Sequence, residues 1–229
     1  GTNGILPPPK GYLTRLKALL DSHGILLITD EVMCGWGRTG KLFAFQHADG
    51  PGITPDIVTM AKGLTSSYMP LGVMAVTDRI AEHFRTNVFW GGLTYNAHPM
   101  CLAAAFAAVE VLIDEKMIEN AQAMGRIMHA HMQSLQAKHR CVRTHRNIGL
   151  FGLIELRKNA NNELLVPYNG AHPVMPRLNK FFRDNGLFTL LQGSGIMCNP
   201  PLCITEAQLA EAFEIIDRGL ALVDEVFEG

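Results

Sequence analysis

The sequence lacks an excess of charge of either sign. Twenty Lys and Arg residues face 21 Asp and Glu, for a formal net charge of −1, and no dense basic run breaks the balance. An electrostatic footprint for nucleic acid or for an anionic membrane surface is therefore missing. The nearest cluster, KHRCVRTHR (138–146), reads as the solvated end of a helix and a loop. Cysteine is scarce. The five residues, Cys34, Cys101, Cys141, Cys198 and Cys203, are odd in number and form no C-x-x-C pair. That spacing suggests neither a zinc site nor a disulfide framework, and it fits a reduced, cytoplasmic compartment. No metal site is expected. Of the nine histidines, His129 and His131 are too close along a helix to share a face and read as surface residues. Long apolar runs are missing as well: PMCLAAAFAAVEVLI (99–113) is too short to span a membrane and is followed by Asp114 and Glu115. No signal peptide is visible. What remains is the composition of an ordinary soluble globular protein, with 229 residues to build one large domain or two small ones. The opening, GTNGILPPPKGY, has no initiator Met and reads like the middle of a longer chain.

Apolar periodicity then supplies the elements. Residues 11–22 predict an amphipathic helix with Tyr12, Leu13, Leu16, Leu19 and Leu20 on one face and Gly24 as its stop. GILLIT (24–29) is a continuous apolar run, the mark of a strand buried on both faces; PDIVTMA (55–61) and LGVMAVT (71–77) are two more. This is α/β architecture. Pro99 opens an Ala-rich helix to about residue 113, apolar nearly all round and so expected to be buried. A second helix is expected over 117–138, with Met117, Ala121, Met124, Met128 and Leu135 inward. Strands follow at 148–156 and 186–191 with a helix near 173–184 between them. A last helix opens at Thr205, where Gln208 completes a capping box ahead of an apolar stripe of Leu209, Phe213, Ile216, Leu220 and Val223. A domain boundary is placed near residue 140.

Two phosphate-binding patterns overlap in GWGRTGK (35–41). Gly35, Gly37 and Gly40 spell the dinucleotide fingerprint G-x-G-x-x-G. Its glycines should leave a strand and open a crossover helix. Here five residues, Asp30 to Cys34, intervene, the following segment is too short, and Asp56 precedes its strand rather than ending one. A nicotinamide-dependent oxidoreductase is thus a remote alternative. The Walker A match fails at Leu42, where a hydroxyl must reach magnesium. The stretch reads instead as a glycine-rich turn with tight backbone contacts. Ligands of open α/β sheets sit beyond the carboxyl ends of the strands, and two ionisable residues occupy such ends. Asp30 follows GILLIT and Lys62 follows PDIVTMA. Lys62 either escapes to solvent or is a desolvated amine suited to Schiff-base chemistry.

Taken together, LLITDEVMCGWGRTGKLFAFQH, PDIVTMAKGL, PLGVMAV, GGLTYNAHPMCLAAA (91–105) and NPPLCITEAQL (199–209) resemble, in order and spacing, the class III family of pyridoxal-phosphate-dependent aminotransferases. The resemblance covers essentially the whole chain. It implies fold type I, with part of the large mixed-sheet cofactor domain (1–140) followed by a C-terminal α+β small domain (141–229). It implies pyridoxal 5'-phosphate as cofactor. Lys62 matches the catalytic lysine that joins the cofactor as a Schiff base and later shuttles the proton, and Asp30 the carboxylate paired with the pyridine nitrogen. Val32 matches the apolar residue against one ring face. Thr94 matches a threonine that reaches the phosphate in the neighbouring subunit, which implies a homodimer with composite sites. Glu31, Arg38 and Asp56 are read as structural.

Family members are roughly twice as long, and their N-terminal half carries a phosphate-cradling loop and a ring-stacking aromatic. The chain therefore resembles the C-terminal half of the enzyme, expected to require the other half and, alone, to expose apolar surface. Many relatives also carry a carboxylate-binding Arg about where Leu190 stands in GLFTLLQGSG (186–195). Its replacement favours amines, ω-amino acids such as β-alanine, or taurine as donor, with a 2-oxo acid as acceptor. Alternatives on the same scaffold are an aminomutase, a racemase or a decarboxylase. A catalytically silent dimerisation unit is a further one.

Overall fold

The computed structural model describes residues 1, 3–50 and 52–229. The chain divides into two compact units, Pro7–Glu119 and a second made of Gly1–Leu6 with Asn120–Gly229. The boundary near residue 140 read from the sequence falls at the end of one long helix; the compact units part near its start.

In the first unit, β1 (Ile28–Asp30), β2 (Ile57–Met60) and β3 (Val73–Val76) form a sheet in the order β1-β2-β3. β1 and β2 run parallel, with Asp30 opposite Thr59, and β3 is antiparallel to β2. Helices α1 (Tyr12–Ser22), α2 (Asp78–Thr86) and α3 (Pro99–Asp114) complete the unit with two 3₁₀ turns, Ala44–His47 and Lys62–Thr65. Asp56 keys the register. Its carboxylate accepts hydrogen bonds from Leu27 N (2.9 Å) and from Arg79 (3.0 Å), with Lys17 at 3.8 Å. The structural role read for Asp56 is what these contacts give it, and they hold its carboxyl below the usual range, the Leu27 N–H first among them.

Burial in this unit departs from the sequence reading. β1 begins only at Ile28, and Ile25, Leu26 and Ile28 are exposed, as are Val73 and Met74 of β3. Along α3 only Cys101, Ala105 and Leu112 are buried, while Met100, Phe106 and Ile113 face solvent. A continuous apolar run needs a layer on each face to be buried. Three short strands and three helices cover one face at most. Helix α2, short and rich in charged residues, has no counterpart in the sequence reading.

The second unit carries an antiparallel sheet of β4 (Val142–Ile148), β5 (Phe151–Leu156), β6 (Leu191–Gln192) and β7 (Gly195–Cys198), in the order β4-β5-β7-β6. Helices α4 (Met117–Lys138), α5 (Val174–Asp184) and α6 (Glu206–Asp224) accompany it. Met128, Met132, Ile154, Leu178, Phe182, Ile196 and Leu220 share one fully enclosed core. α4 approaches the β4–β5 turn so closely that a Cβ on Gly125 would lie 2.6 Å from the Gly149 backbone. Asn147 bonds both glycine carbonyls, at 2.8 and 3.0 Å.

The α6 cap is as the sequence implies: Thr205 Oγ1 accepts from Gln208 N, and Gln208 Oε1 accepts from Thr205 N. The stripe from Leu209 to Val223 is buried. Three expectations are corrected. The stretch read as a solvated helix end and loop enters β4 from Val142, and ahead of that strand His139 is buried, its Nδ1 2.7 Å from Asp224 and its Nε2 2.7 Å from Asp217. Strand 186–191 shrinks to Leu191–Gln192, which pairs with β7, and Phe188 and Leu190 ahead of it are exposed. His131 is half-buried, stacked on Phe213, while His129 is exposed.

Candidate active site

The site residues named from the sequence belong to the first unit. Because β1 and β2 are parallel neighbours, their carboxyl ends open on one edge of the sheet. Asp30 is the last residue of β1, and Lys62 stands two residues beyond the end of β2, opening a 3₁₀ turn. Val32 follows Asp30 closely, and its N–H donates to Asp30 Oδ1 at 2.9 Å. One carboxylate oxygen thus fixes the side chain to the backbone and leaves Oδ2 for a ligand. Among the described residues no carboxylate lies within ion-pair range of Lys62 Nζ. Both Asp30 and Lys62 are exposed, so the desolvated lysine contemplated from the sequence is not buried by this chain.

Lys62 is held in an uncommon conformation. Its φ is 45°, and Ser66 (47°) and Ser67 (64°) share the left-handed region that side chains beyond glycine rarely adopt. Thr65, almost wholly buried, closes this segment by donating from Oγ1 to Met69 O at 2.7 Å. Lys62, Thr65, Ser67, Tyr68 and Leu71 line a concavity of about 450 Å³. Thr65 and Tyr68 were not singled out in the sequence; only their place just after Lys62 could have marked them.

Thr94 is exposed in a turn that feeds α3, and α3 packs against the Lys62–Thr65 turn. No hydrogen bond joins it to Asp30, Val32 or Lys62. The structure thus brings three of the four named residues to one sheet edge and puts Thr94 on a neighbouring segment. Glu31 points elsewhere: it is buried, and its two oxygens accept from Ala44 N and Phe45 N, each at 2.9 Å. Burial lowers the Arg38 guanidinium to about 10. Cys34, beside the Asp30 carbonyl, is pushed up to about 11 by burial and then by Glu31, which keeps its thiol neutral. Leu190 belongs to the other unit and is exposed. Among the described residues no His, Cys, Asp and Glu cluster could hold a metal, and no helix is long and apolar enough to cross a membrane.

An amine that lines an open concavity and a half-committed carboxylate at the adjacent strand end fit a ring that bears an aldehyde and a basic nitrogen. Comparison with known proteins leads to the same class. The model of the family described as Aminotransferase class-III matches residues 1–220. The chain belongs to the class III aminotransferases. It is 37% identical over 231 residues to an omega-aminotransferase of Caulobacter vibrioides, covering 98% of this chain and 49% of that protein. It is 35% identical to a putrescine–pyruvate aminotransferase of Pseudomonas aeruginosa, covering 96% and 47%. Among solved structures, a taurine:2-oxoglutarate aminotransferase from Bifidobacterium kashiwanohense in complex with PLP and glutamate superposes with a TM-score of 0.94 at 40% identity. That match covers 100% of this chain and 51% of the other. The chain spans about half the length of the curated relatives it matches. Its fold is that of the fold type I pyridoxal-phosphate-dependent transferases.

Proposed function

We propose that this chain provides the lysine and the ring-nitrogen carboxylate of an aminotransferase that moves an amino group from an amine or ω-amino acid to a 2-oxo acid. The observation that carries the proposal is the placement of Asp30 and Lys62 at the carboxyl ends of two adjacent parallel strands. Pyridoxal phosphate, when bound, supplies an electron sink for the carbanion left when the donor loses its proton. Asp30 Oδ2 keeps a proton on the pyridine nitrogen, as a carboxylate beside a basic nitrogen favours its charged form. Lys62 Nζ would hold the cofactor and, as general base and then general acid, would carry the donor's proton. Val32 would hold the ring on one side, and Thr94 would bind the phosphate across a homodimer, which would make each site composite.

The donor class is read from the sequence, where Leu190 stands in place of the carboxylate-binding Arg of many family members. An apolar side chain there offers no bidentate grip on a carboxylate, which favours donors such as taurine, putrescine or β-alanine. The relatives with omega-, putrescine- and taurine-directed names support that reading. The test is intact mass and peptide mapping after incubation with pyridoxal phosphate and borohydride. One phosphopyridoxyl group on the peptide containing Lys62 is expected when the N-terminal half is present, and its absence from that preparation would sink the assignment. Stoichiometric amino transfer to added pyruvate or 2-oxoglutarate distinguishes a transaminase from a mutase, racemase or decarboxylase.

A further inference from the structure

The glycine-rich loop GWGRTG has so far no part in the chemistry, yet it touches the residue beside Lys62. Trp36 lies between Gly35 and Gly37 with φ 57°, a left-handed backbone that a bulky residue adopts only where its surroundings enforce it. Its side chain lies against the Cα of Gly63, so that a Cβ added to Gly63 would stand 3.0 Å from Trp36 Cβ and 3.6 Å from Cγ. The indole meets Phe43 edge-on at 5.4 Å, and Phe43 stacks on Phe45 at 5.7 Å. The backbone N–H groups of Ala44 and Phe45 end on the Glu31 carboxylate. Gly35 is pressed onto the same acid, a Cβ there falling 2.9 Å from Glu31 O. A continuous line of contacts thus runs from the residue after Asp30, through three aromatic rings, to the residue after Lys62. The Trp36 indole nitrogen is buried without a hydrogen-bond partner. The ring is therefore held for its shape.

We propose that Trp36 is a positioning residue: packed on Gly63, it fixes the left-handed backbone of Lys62 and thereby the spacing of its amine from Asp30. The overlapping phosphate-binding patterns would then be by-products of glycines that let a bulky ring sit at one defined place. This inference rests on Lys62 being the lysine that holds the cofactor, as proposed above.

The experiment uses the protein loaded with pyridoxal phosphate. Wild type, with the N-terminal half present, is first checked for the borohydride-fixed group on Lys62. Without it, the proposed function itself falls and takes this inference with it. With it, Trp36→Gly should lower the rate of amino transfer by roughly ten- to a hundredfold, the effect expected of about 1 Å of misplacement. It should also shift the pH midpoint of the absorbance of Lys62-bound cofactor. Trp36→Phe keeps an aromatic ring on Gly63 without the orphan donor and should restore both values. Gly63→Ala, which forces the same contact apart, should lower the rate likewise. Combining it with Trp36→Gly should add no further loss, because both act on one contact. A folded Trp36→Gly with wild-type rate and midpoint would overturn the inference while leaving the function intact. Where Trp36→Gly does not fold, a folded Gly63→Ala with unchanged rate and midpoint would do the same.

Discussion

The substitution His139→Ala probes a cluster that has no part in the proposed chemistry. His139 is buried with one ring nitrogen 2.7 Å from Asp224 and the other 2.7 Å from Asp217. Asp217 also pairs with Lys138, and Asp224 accepts from Cys141 N at 2.9 Å. Although burial pushes both carboxyls up, these donors outweigh it and hold them below the ordinary carboxylate range. A charge-assisted hydrogen bond contributes about 1.5–3 kcal/mol, so two lost bonds set a gross ceiling of about 6. Each carboxylate keeps one other donor and reaches solvent, with 28% and 23% of its side chain exposed. The net cost should therefore be about 3 kcal/mol. For a chain of 229 residues that corresponds to a fall in Tm of roughly 6–12 °C.

Guanidinium unfolding at pH 7, with the slope m checked for constancy, measures it. The pH dependence gives a second handle. A carboxyl with a lowered folded pKa contributes stability above its unfolded value near 3.9, and that contribution is lost as pH falls through the folded value. The gap between wild type and His139→Ala should accordingly begin to narrow below about pH 4 and close as pH falls through the lowered folded values of Asp217 and Asp224. A loss under about 1 kcal/mol at pH 7, or a gap that widens in acid, would refute this account.

Asp56→Ala should cost about 2 kcal/mol in the same assay. It strands the buried Leu27 N–H, whereas the exposed Arg79 partner adds little; Asp56→Asn, which keeps an acceptor, should cost less than half as much. Leu190→Arg in the cofactor-loaded protein should raise kcat/KM for an α-amino acid such as alanine relative to a diamine such as putrescine by about tenfold. A bidentate pair is then gained only by the donor with an anionic group. No change in that ratio would remove Leu190 from donor selection.

The two residues proposed to carry the chemistry, Asp30 and Lys62, were legible for one reason: each is ionisable and follows an apolar run, a pattern that places it at a strand's carboxyl end. Helix α6 was legible from its cap and its stripe, since both are local. What could not be read is set by distant partners. β4 carries Arg143, His145 and Arg146 and looks like a loop until β5 pairs with it and Glu155 bridges both arginines. His139 looks solvated until Asp217 and Asp224 arrive from α6, far along the chain. The contact of Trp36 with Gly63 is equally invisible, because nothing in either segment names the other. Burial of GILLIT and of α3 was over-read, since an apolar run records a need for cover and cannot supply it.

The uneven burial of the two units bears on how the chain is made. A ribosome delivers Pro7–Glu119, with its uncovered strands and the exposed Phe89, Trp90, Leu93 and Tyr95, before the segment that closes its own core around Met128, Ile154 and Phe182. Within this stretch, synthesis therefore presents the less covered unit before the enclosed one, and its recovery from denaturant should fall steeply with protein concentration.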